Sequence, residues 1–203
     1  MMTFEELRVV VVVYTTAILP IIILFNLYLK GQLSSSTLKI YITTFIFCAL
    51  GWELWFTYGI YAGDPVDIRR SDILNQLIPK NINWLMNSLA DAGTICLGGI
   101  LLTGKLLRSD RTVFNQWNYG AFIILLVWCI GQNVFVEIFL YHDQLSVGKD
   151  LSWAPLAPTG PWMNPILFQF DDRTVTLHGQ IPWLLMTPIL YKLTMYFQLK
   201  EMD

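Results

Sequence analysis

Residues 38–62 read LKIYITTFIFCALGWELWFTYGIYA, an apolar stretch long enough to cross a membrane that carries one acid, Glu53. A helix that crosses lipid must satisfy its own backbone polar groups, and it needs about 20 apolar residues to span the hydrocarbon layer. A charged acid at that depth costs several kcal/mol, about 2.5 by the lowest estimates. Such a residue normally faces a bundle interior or a wet cavity, so this stretch predicts a membrane protein with a polar pocket.

Two further acids, Asp91 and Glu137, also lie within long apolar stretches. Of the 203 residues, 55% are hydrophobic and only 14% are charged, whereas about a quarter of the residues in soluble domains are charged. This low charge content favours lipid as the solvent. The net charge of −2 and the absence of a basic aromatic tract predict no nucleic-acid partner.

The sequence predicts an all-α membrane protein, with five transmembrane helices forming one bundle and one domain over residues 1–203. The short basic loop at 105–111 is predicted to face the cytoplasm, which puts the N-terminus outside or in a lumen and the C-terminus in the cytoplasm. The predicted spans are approximately 9–29, 38–62, 84–107, 117–141 and 179–197.

The long outer connection 142–177 contains four prolines and is predicted to cap the bundle, because ordered loops of this length are usually lids or binding elements. A structured cap with no further role is the alternative. Residues 166–170 and 173–177 alternate like the two strands of a small hairpin.

The buried polar groups are predicted to converge in the outer half of the membrane. At about 1.5 Å rise per residue, the acids of the three middle helices come to similar depths. The spacings Asn87–Asp91 and Asn133–Glu137 put the members of each pair on one helix face. Structural hydrogen bonding between helices, worth about 0.6 kcal/mol per bond on average, is the alternative to a functional pocket.

The predicted catalytic residues are Glu53 as the acid, Asp91 as the base or second acid, and Glu137 in a supporting network. A carboxyl group in apolar surroundings favours its neutral form, and aromatic faces stabilise cationic character. This combination suits protonation of an isolated alkene and control of the resulting carbocation. The predicted substrate-binding residues are Trp52, Asn87, Trp128, Gln132, Asn133, His178, Gln180 and Trp183.

No metal and no cofactor is predicted. A rival interpretation as an oxidase would use His142, His178 and Glu137 as metal ligands. Cys48, Cys96 and Cys129 lie on three different predicted helices without metal-ligand spacing, and they are interpreted as small apolar residues.

Four short motifs follow one another along the second to fifth predicted helices: Trp-Glu-Leu-Trp-Phe at 52–56, Asp91 ahead of Gly98-Gly99, Gly131-Gln132 followed by Glu137 and Tyr141-His142, and Gln180-x-x-Trp183. In order and spacing they resemble the emopamil-binding protein family of sterol isomerases and the wider EXPERA fold. The resemblance implies a five-helix bundle and proton-driven migration of a sterol double bond. This chain departs from that family at Ala49, where the family has His.

The segment Cys48-Ala-Leu-Gly-Trp-Glu53 is also similar to the Trp-Glu helix of integral-membrane terpene cyclases, and Asp91 is placed like an acid on their third helix. Those enzymes usually have seven helices and a further Asp in the last one. Both resemblances imply protonation of an alkene in a lipid.

The sequence thus favours an isomerase or terpene cyclase whose partners are membrane lipid and a hydrophobic, sterol-like or terpenoid substrate. A non-catalytic lipid- or sterol-binding membrane protein and a subunit of a membrane complex are the alternatives. A homo-oligomer is left open. A proton-coupled transporter is disfavoured, because acids confined to one half of the membrane give no path to the other side.

Overall fold

The computed structural model describes residues 2–59, 65–108, 112–140, 165–170 and 173–202. The described part is mainly helical. Its α-helices are α1 (Phe4–Leu29), α2 (Ser35–Leu50), α3 (Trp52–Tyr58), α4 (Val66–Arg69), α5 (Asp72–Leu77), α6 (Lys80–Ala90), α7 (Gly98–Leu106), α8 (Tyr119–Phe135) and α9 (Leu177–Met202). Asp91–Leu97 and Val136–Leu140 are π-helical, Thr112–Phe114 is a 3₁₀ turn, and the strands are β1 (Ile166–Phe170) and β2 (Arg173–Thr176).

Three helical stretches of the described chain are long and apolar enough to cross a membrane: Phe4–Leu29, Lys80–Leu106 and Tyr119–Leu140. A fourth span exists if α2 and α3, which meet at an angle of 41°, are taken together. The fifth predicted span corresponds to α9, which is 26 residues long but less apolar than the others. The structure thus supports a helical membrane protein with three or four spans of clear apolar character.

The second predicted span is not the continuous helix that its composition suggests. The chain breaks at Gly51, whose backbone (φ −88°, ψ −122°) is not helical. A Cβ atom at this position would lie 2.5 Å from the carbonyl oxygen of Phe47, so only glycine fits there. As a result Glu53 lies in the first turn of the short helix α3.

Helix α1 meets the first π-helical segment at Pro20. Proline has no backbone N–H, so the carbonyl of Thr16 loses its usual partner within the helix. The hydroxyl of Thr94 donates to that carbonyl at 2.7 Å. A Cβ atom at Gly93 would lie 2.5 Å from the Cβ atom of Pro20, so the missing side chain lets the two segments come this close.

Two apolar clusters hold the bundle together. The larger is formed mainly by α8, α9 and the first π-helical segment, with Cys96, Leu125 and Leu190 among its fully buried members. The smaller joins α1 to the 65–78 segment through its members Val9, Val13, Leu74, Ile78 and Leu140. The segment after α3 forms α4 and α5, and Leu74 of α5 is buried against α1 in the smaller cluster.

The predicted hairpin is confirmed, because β1 and β2 pair in antiparallel fashion with an irregularity between Ile166 and Phe168. The base of the hairpin is closed by the N–H of Leu177, which donates to the carbonyl of Pro165 at 3.1 Å. Residues 141–164, which make up most of the predicted cap, lie outside the described residues.

Candidate functional site

A cavity of about 130 Å³ lies between α1, α3, α6, α8, the two π-helical segments and the start of α9. All three predicted catalytic acids, Glu53, Asp91 and Glu137, line it. Apolar and aromatic side chains form most of the remaining wall. The structure therefore brings the three acids together, from three helical segments that are distant in sequence.

Glu53 occupies the wall formed by α3, and its side chain is 6% exposed. The side chain of Asn87, on α6, hydrogen-bonds to it. Within the part of the chain that the structure describes, the second carboxyl oxygen, Oε2, has no hydrogen-bond partner. A buried polar atom of this kind normally requires a partner, so the cavity presents an unfilled hydrogen-bonding position at Glu53.

Asp91 opens the first π-helical segment, a conformation that is frequent at functional sites. The indole N–H of Trp52 donates to its Oδ2 atom at 2.8 Å. Asp91 is close enough to Glu53 for the two carboxyl groups to interact electrostatically. The ring of Trp52 lies 5.1 Å from that of Trp183 with a tilt of 54°, and both indole side chains line the same cavity as the two acids.

Glu137 lies in a network of amide groups. Asn133 donates to its Oε1 atom at 3.1 Å, and Gln180 donates to its Oε2 atom at 3.0 Å. Asn133 also donates to the carbonyl of Gly179 at 2.7 Å, which joins α8 to α9. A Cβ atom at Gly179 would overlap the Glu137 carboxyl group, so this glycine is what lets the network form.

Arg69 is a residue of the site that the sequence analysis missed. Its side chain is 1% exposed, donates to the carbonyl of Phe56 at 2.6 Å and lies 4.8 Å from the centroid of the Phe56 ring. It places a positive charge close enough to Glu53 to interact with it electrostatically. The charged stretch around Arg69 resembles an exposed loop in sequence, and no periodicity distinguishes the buried arginine from its neighbours.

The structure places the predicted substrate-binding residues in different ways. Five of them line the cavity: Trp52, Asn87, Gln132, Asn133 and Trp183. Gln180 is buried behind the wall and reaches Glu137 from there. The side chains of His178 and of His142, which the rival metal set needs, lie outside the described part of the chain.

Trp128, which was also predicted to bind the substrate, does not line the cavity. Its indole N–H donates to the backbone carbonyl of Ile95 at 2.9 Å, and its ring lies against Gly99. The missing side chain of Gly99 makes room for the ring between α7 and α8. Trp128 thus packs helices together.

The arrangement combines the elements of acid–base chemistry on an apolar ligand. One buried acid has an oxygen that finds no partner among the described residues, a second acid lies close to it, and two indole side chains line the same cavity. A general acid must come within about 2.6–3.2 Å of the atom it protonates, and a cavity wall allows this approach.

No protein-family model, curated protein or solved structure gives a significant match to this chain. Its function is therefore argued from the geometry and chemistry of the site.

Proposed function

We propose that this protein is a membrane-embedded isomerase or cyclase that protonates an alkene in a sterol-like or terpenoid lipid. The observation that carries the proposal is Glu53, a buried acid on the cavity wall whose Oε2 atom lacks a partner in the described structure. A proton donor with one free oxygen is suited to an apolar ligand, because the substrate need not displace an existing hydrogen bond.

In the proposed reaction Glu53 gives its proton to one carbon of the double bond, and the neighbouring carbon becomes cationic. The rings of Trp52 and Trp183 lie beside the acids and favour the positive charge. Asp91 then takes a proton from an adjacent carbon, which forms the shifted double bond. In a cyclase, a second alkene of the same molecule first attacks the cation, and Asp91 removes the proton afterwards.

The size of the cavity fits the reacting part of such a lipid. At about 10–15 Å³ of cavity volume for each water molecule, the 130 Å³ cavity has room for about ten waters, which is less than a whole sterol requires. The rest of the substrate would extend into the bilayer, so the proposal includes lateral entry from the membrane.

The proposal also includes the membrane arrangement. Helix α9 would serve as a fifth span because its N-terminal end contributes Gly179 and Trp183 to the same cavity as α8. The N-terminus would lie outside or in a lumen and the C-terminus in the cytoplasm, on the argument of the basic 105–111 loop. The motifs resemble those of the emopamil-binding protein family in order and spacing, and we propose a relationship to that family.

The test is the substitution Glu53→Gln, which keeps the size and hydrogen-bonding capacity of the side chain but removes the proton. Purified wild type is incubated with sterol and terpenoid alkenes in deuterated water, and the products are analysed by mass spectrometry. We expect deuterium in the product and a loss of about 10²–10⁴ in turnover for Glu53→Gln, with lipid binding retained. Glu5→Gln, at an exposed position on α1, is the matched control and should behave as wild type.

A non-catalytic lipid-binding protein, free or as a subunit of a membrane complex, is the second candidate. The Glu137 network favours it, because both carboxyl oxygens are already engaged by amide donors and form a fixed polar wall. If wild type retains lipid through purification but turns over none of these alkenes, the enzyme proposal is abandoned for this one.

A further inference from the structure

The hairpin exposes an unusual amount of apolar surface. No residue of β1 is buried, and Ile166, Leu167, Phe168 and Phe170 are each 43–58% exposed. In a hairpin on the aqueous surface of a protein, one face of a strand normally packs on the core and the other is polar. Here four of the five residues in β1 are large and apolar, so water is a poor solvent for this strand.

The exposed strand continues an apolar surface of α8. The ring of Phe170 packs against Phe139 at 5.5 Å, and Phe139 packs against Phe135 at 5.2 Å. Phe135 and Phe139 are themselves 59% and 44% exposed, and they belong to Tyr119–Leu140, one of the stretches able to cross a membrane. The lipid-facing side of this span and the exposed strand therefore form one continuous surface.

The backbone limits how deep the hairpin can lie. A two-stranded sheet has open edges whose N–H and C=O groups need partners, and lipid-exposed open edges do not occur in the hydrocarbon layer. The connection between the strands is Asp171-Asp172, two acids that are costly at membrane depth. The boundary between water and lipid suits both the open backbone edges and the two acids. Water and head groups can reach the backbone there, while the apolar side chains reach the acyl chains.

We propose that β1 and β2 form an interfacial hairpin that lies in the head-group layer of the bilayer, with the apolar side chains of β1 directed among the lipid chains. Its partner is the lipid surface itself. The hairpin leads directly into α9, whose first turns contribute Gly179 and Trp183 to the cavity, so it fixes this end of α9 at the membrane boundary.

The test measures the solvent around a nitroxide label attached to cysteine at Phe168→Cys, on the same face of the strand as Phe170, or at Leu167→Cys, in protein reconstituted into phosphatidylcholine vesicles. Power-saturation electron paramagnetic resonance compares collisions with oxygen, which dissolves in lipid, and with a nickel chelate, which stays in water. Val127→Cys on the exposed face of α8 gives the lipid reference, and Gln32→Cys in the α1–α2 connection gives the aqueous reference. The native cysteines Cys48, Cys96 and Cys129 are buried, and labelling of the parent protein measures their background.

We expect the oxygen-to-nickel collision ratio at Phe168→Cys to exceed that at Gln32→Cys severalfold and to stay below that at Val127→Cys. A ratio equal to the aqueous reference at both strand positions overturns the proposal. So does an immobile label that neither reagent reaches, because the strand would then be covered by protein, either by other residues of this chain or by a second copy. Because two positions on the strand are labelled separately, the second variant still gives a result if the first fails to fold.

Discussion

The indole N–H of Trp52 donates to Oδ2 of Asp91 across 2.8 Å, and this bond joins the helix that carries Glu53 to the π-helical segment that begins at Asp91. The same indole ring packs on Trp183 of α9 at 5.1 Å. One side chain therefore orients an acid, forms part of the cavity wall and connects three segments that are distant in sequence.

Replacing Trp52 with Phe should separate these roles, because phenylalanine keeps an aromatic ring but cannot donate a hydrogen bond. We expect a loss of about 1 kcal/mol in stability from the unpaired Asp91 oxygen, and weaker lipid binding or turnover. Trp128→Phe is the matched control, since it removes an indole hydrogen bond of 2.9 Å from a side chain that does not line the cavity. Thermal unfolding in detergent and a lipid-binding assay measure the two effects; equal loss of binding in both variants would contradict the assignment.

Thr94 and Pro20 should be energetically coupled. Thr94→Val removes the donor to the Thr16 carbonyl, and we expect it to cost about 1 kcal/mol, because no N–H at Pro20 can replace the lost bond. In a Pro20→Ala background the alanine N–H can bond to that carbonyl, so the same substitution should cost less. A double-mutant cycle on unfolding free energy measures the difference. Equal costs in the two backgrounds would mean that Thr94 does not compensate for the proline.

Gly179→Ala should disrupt the network around Glu137. The new methyl group would overlap a carboxyl group that Asn133 and Gln180 hold in place, and overpacking of this kind costs about 1–3 kcal/mol. Gly131→Ala is the control on α8, where a Cβ atom meets nothing within 4 Å, and it should be neutral or stabilising by about 0.5–1 kcal/mol.

A second substitution should restore part of the stability that Gly179→Ala loses. Glu137→Asp shortens the side chain by one methylene and withdraws the carboxyl group from the new methyl group. The double variant Gly179→Ala/Glu137→Asp should therefore unfold at a higher temperature than Gly179→Ala alone. If the double variant is no more stable, the clash lies elsewhere.

Asp91→Asn tests the proposed base. Asparagine keeps the size of the side chain and an oxygen that can accept the Trp52 bond, but it cannot take a proton at neutral pH. We expect turnover to fall by about 10²-fold or more while lipid binding and thermal stability stay near those of wild type. Asp67→Asn, which breaks the 2.8 Å ion pair with Lys80 outside the cavity, should leave turnover unchanged. Unchanged turnover in Asp91→Asn would assign the proton-accepting step to another group.

The site acids could be found from sequence because burying a charge in an apolar helix is expensive, and such residues are kept only where they face a polar interior. The four-residue spacings of Asn87–Asp91 and Asn133–Glu137 likewise fix which residues share a helix face. Periodicity of two was enough to predict the strands of the hairpin. These properties depend on residues that are close together in the sequence, so they do not depend on how the segments pack against one another.

Other features depend on which segments meet, and only the tertiary structure decided them. Gly51 looks like any small residue in an apolar run, and the break becomes visible only in its close approach to Phe47. Trp128 and Trp183 have similar sequence surroundings, yet one packs on Gly99 and the other lines the cavity, because the rotation of each helix depends on its neighbours.

The same holds for Arg69, whose charged neighbourhood predicts exposure until α4 is seen folded against Phe56. The sequence by itself determined that polar groups must be buried in an apolar, helical chain and at what spacing. Their partners, such as Trp52 for Asp91 and Gln180 for Glu137, follow from contacts between residues 39 and 43 positions apart. The periodicity of the side chains determines which residues share a helix face. The packing between helices determines which atom of a neighbouring segment becomes the hydrogen-bond partner of each buried group.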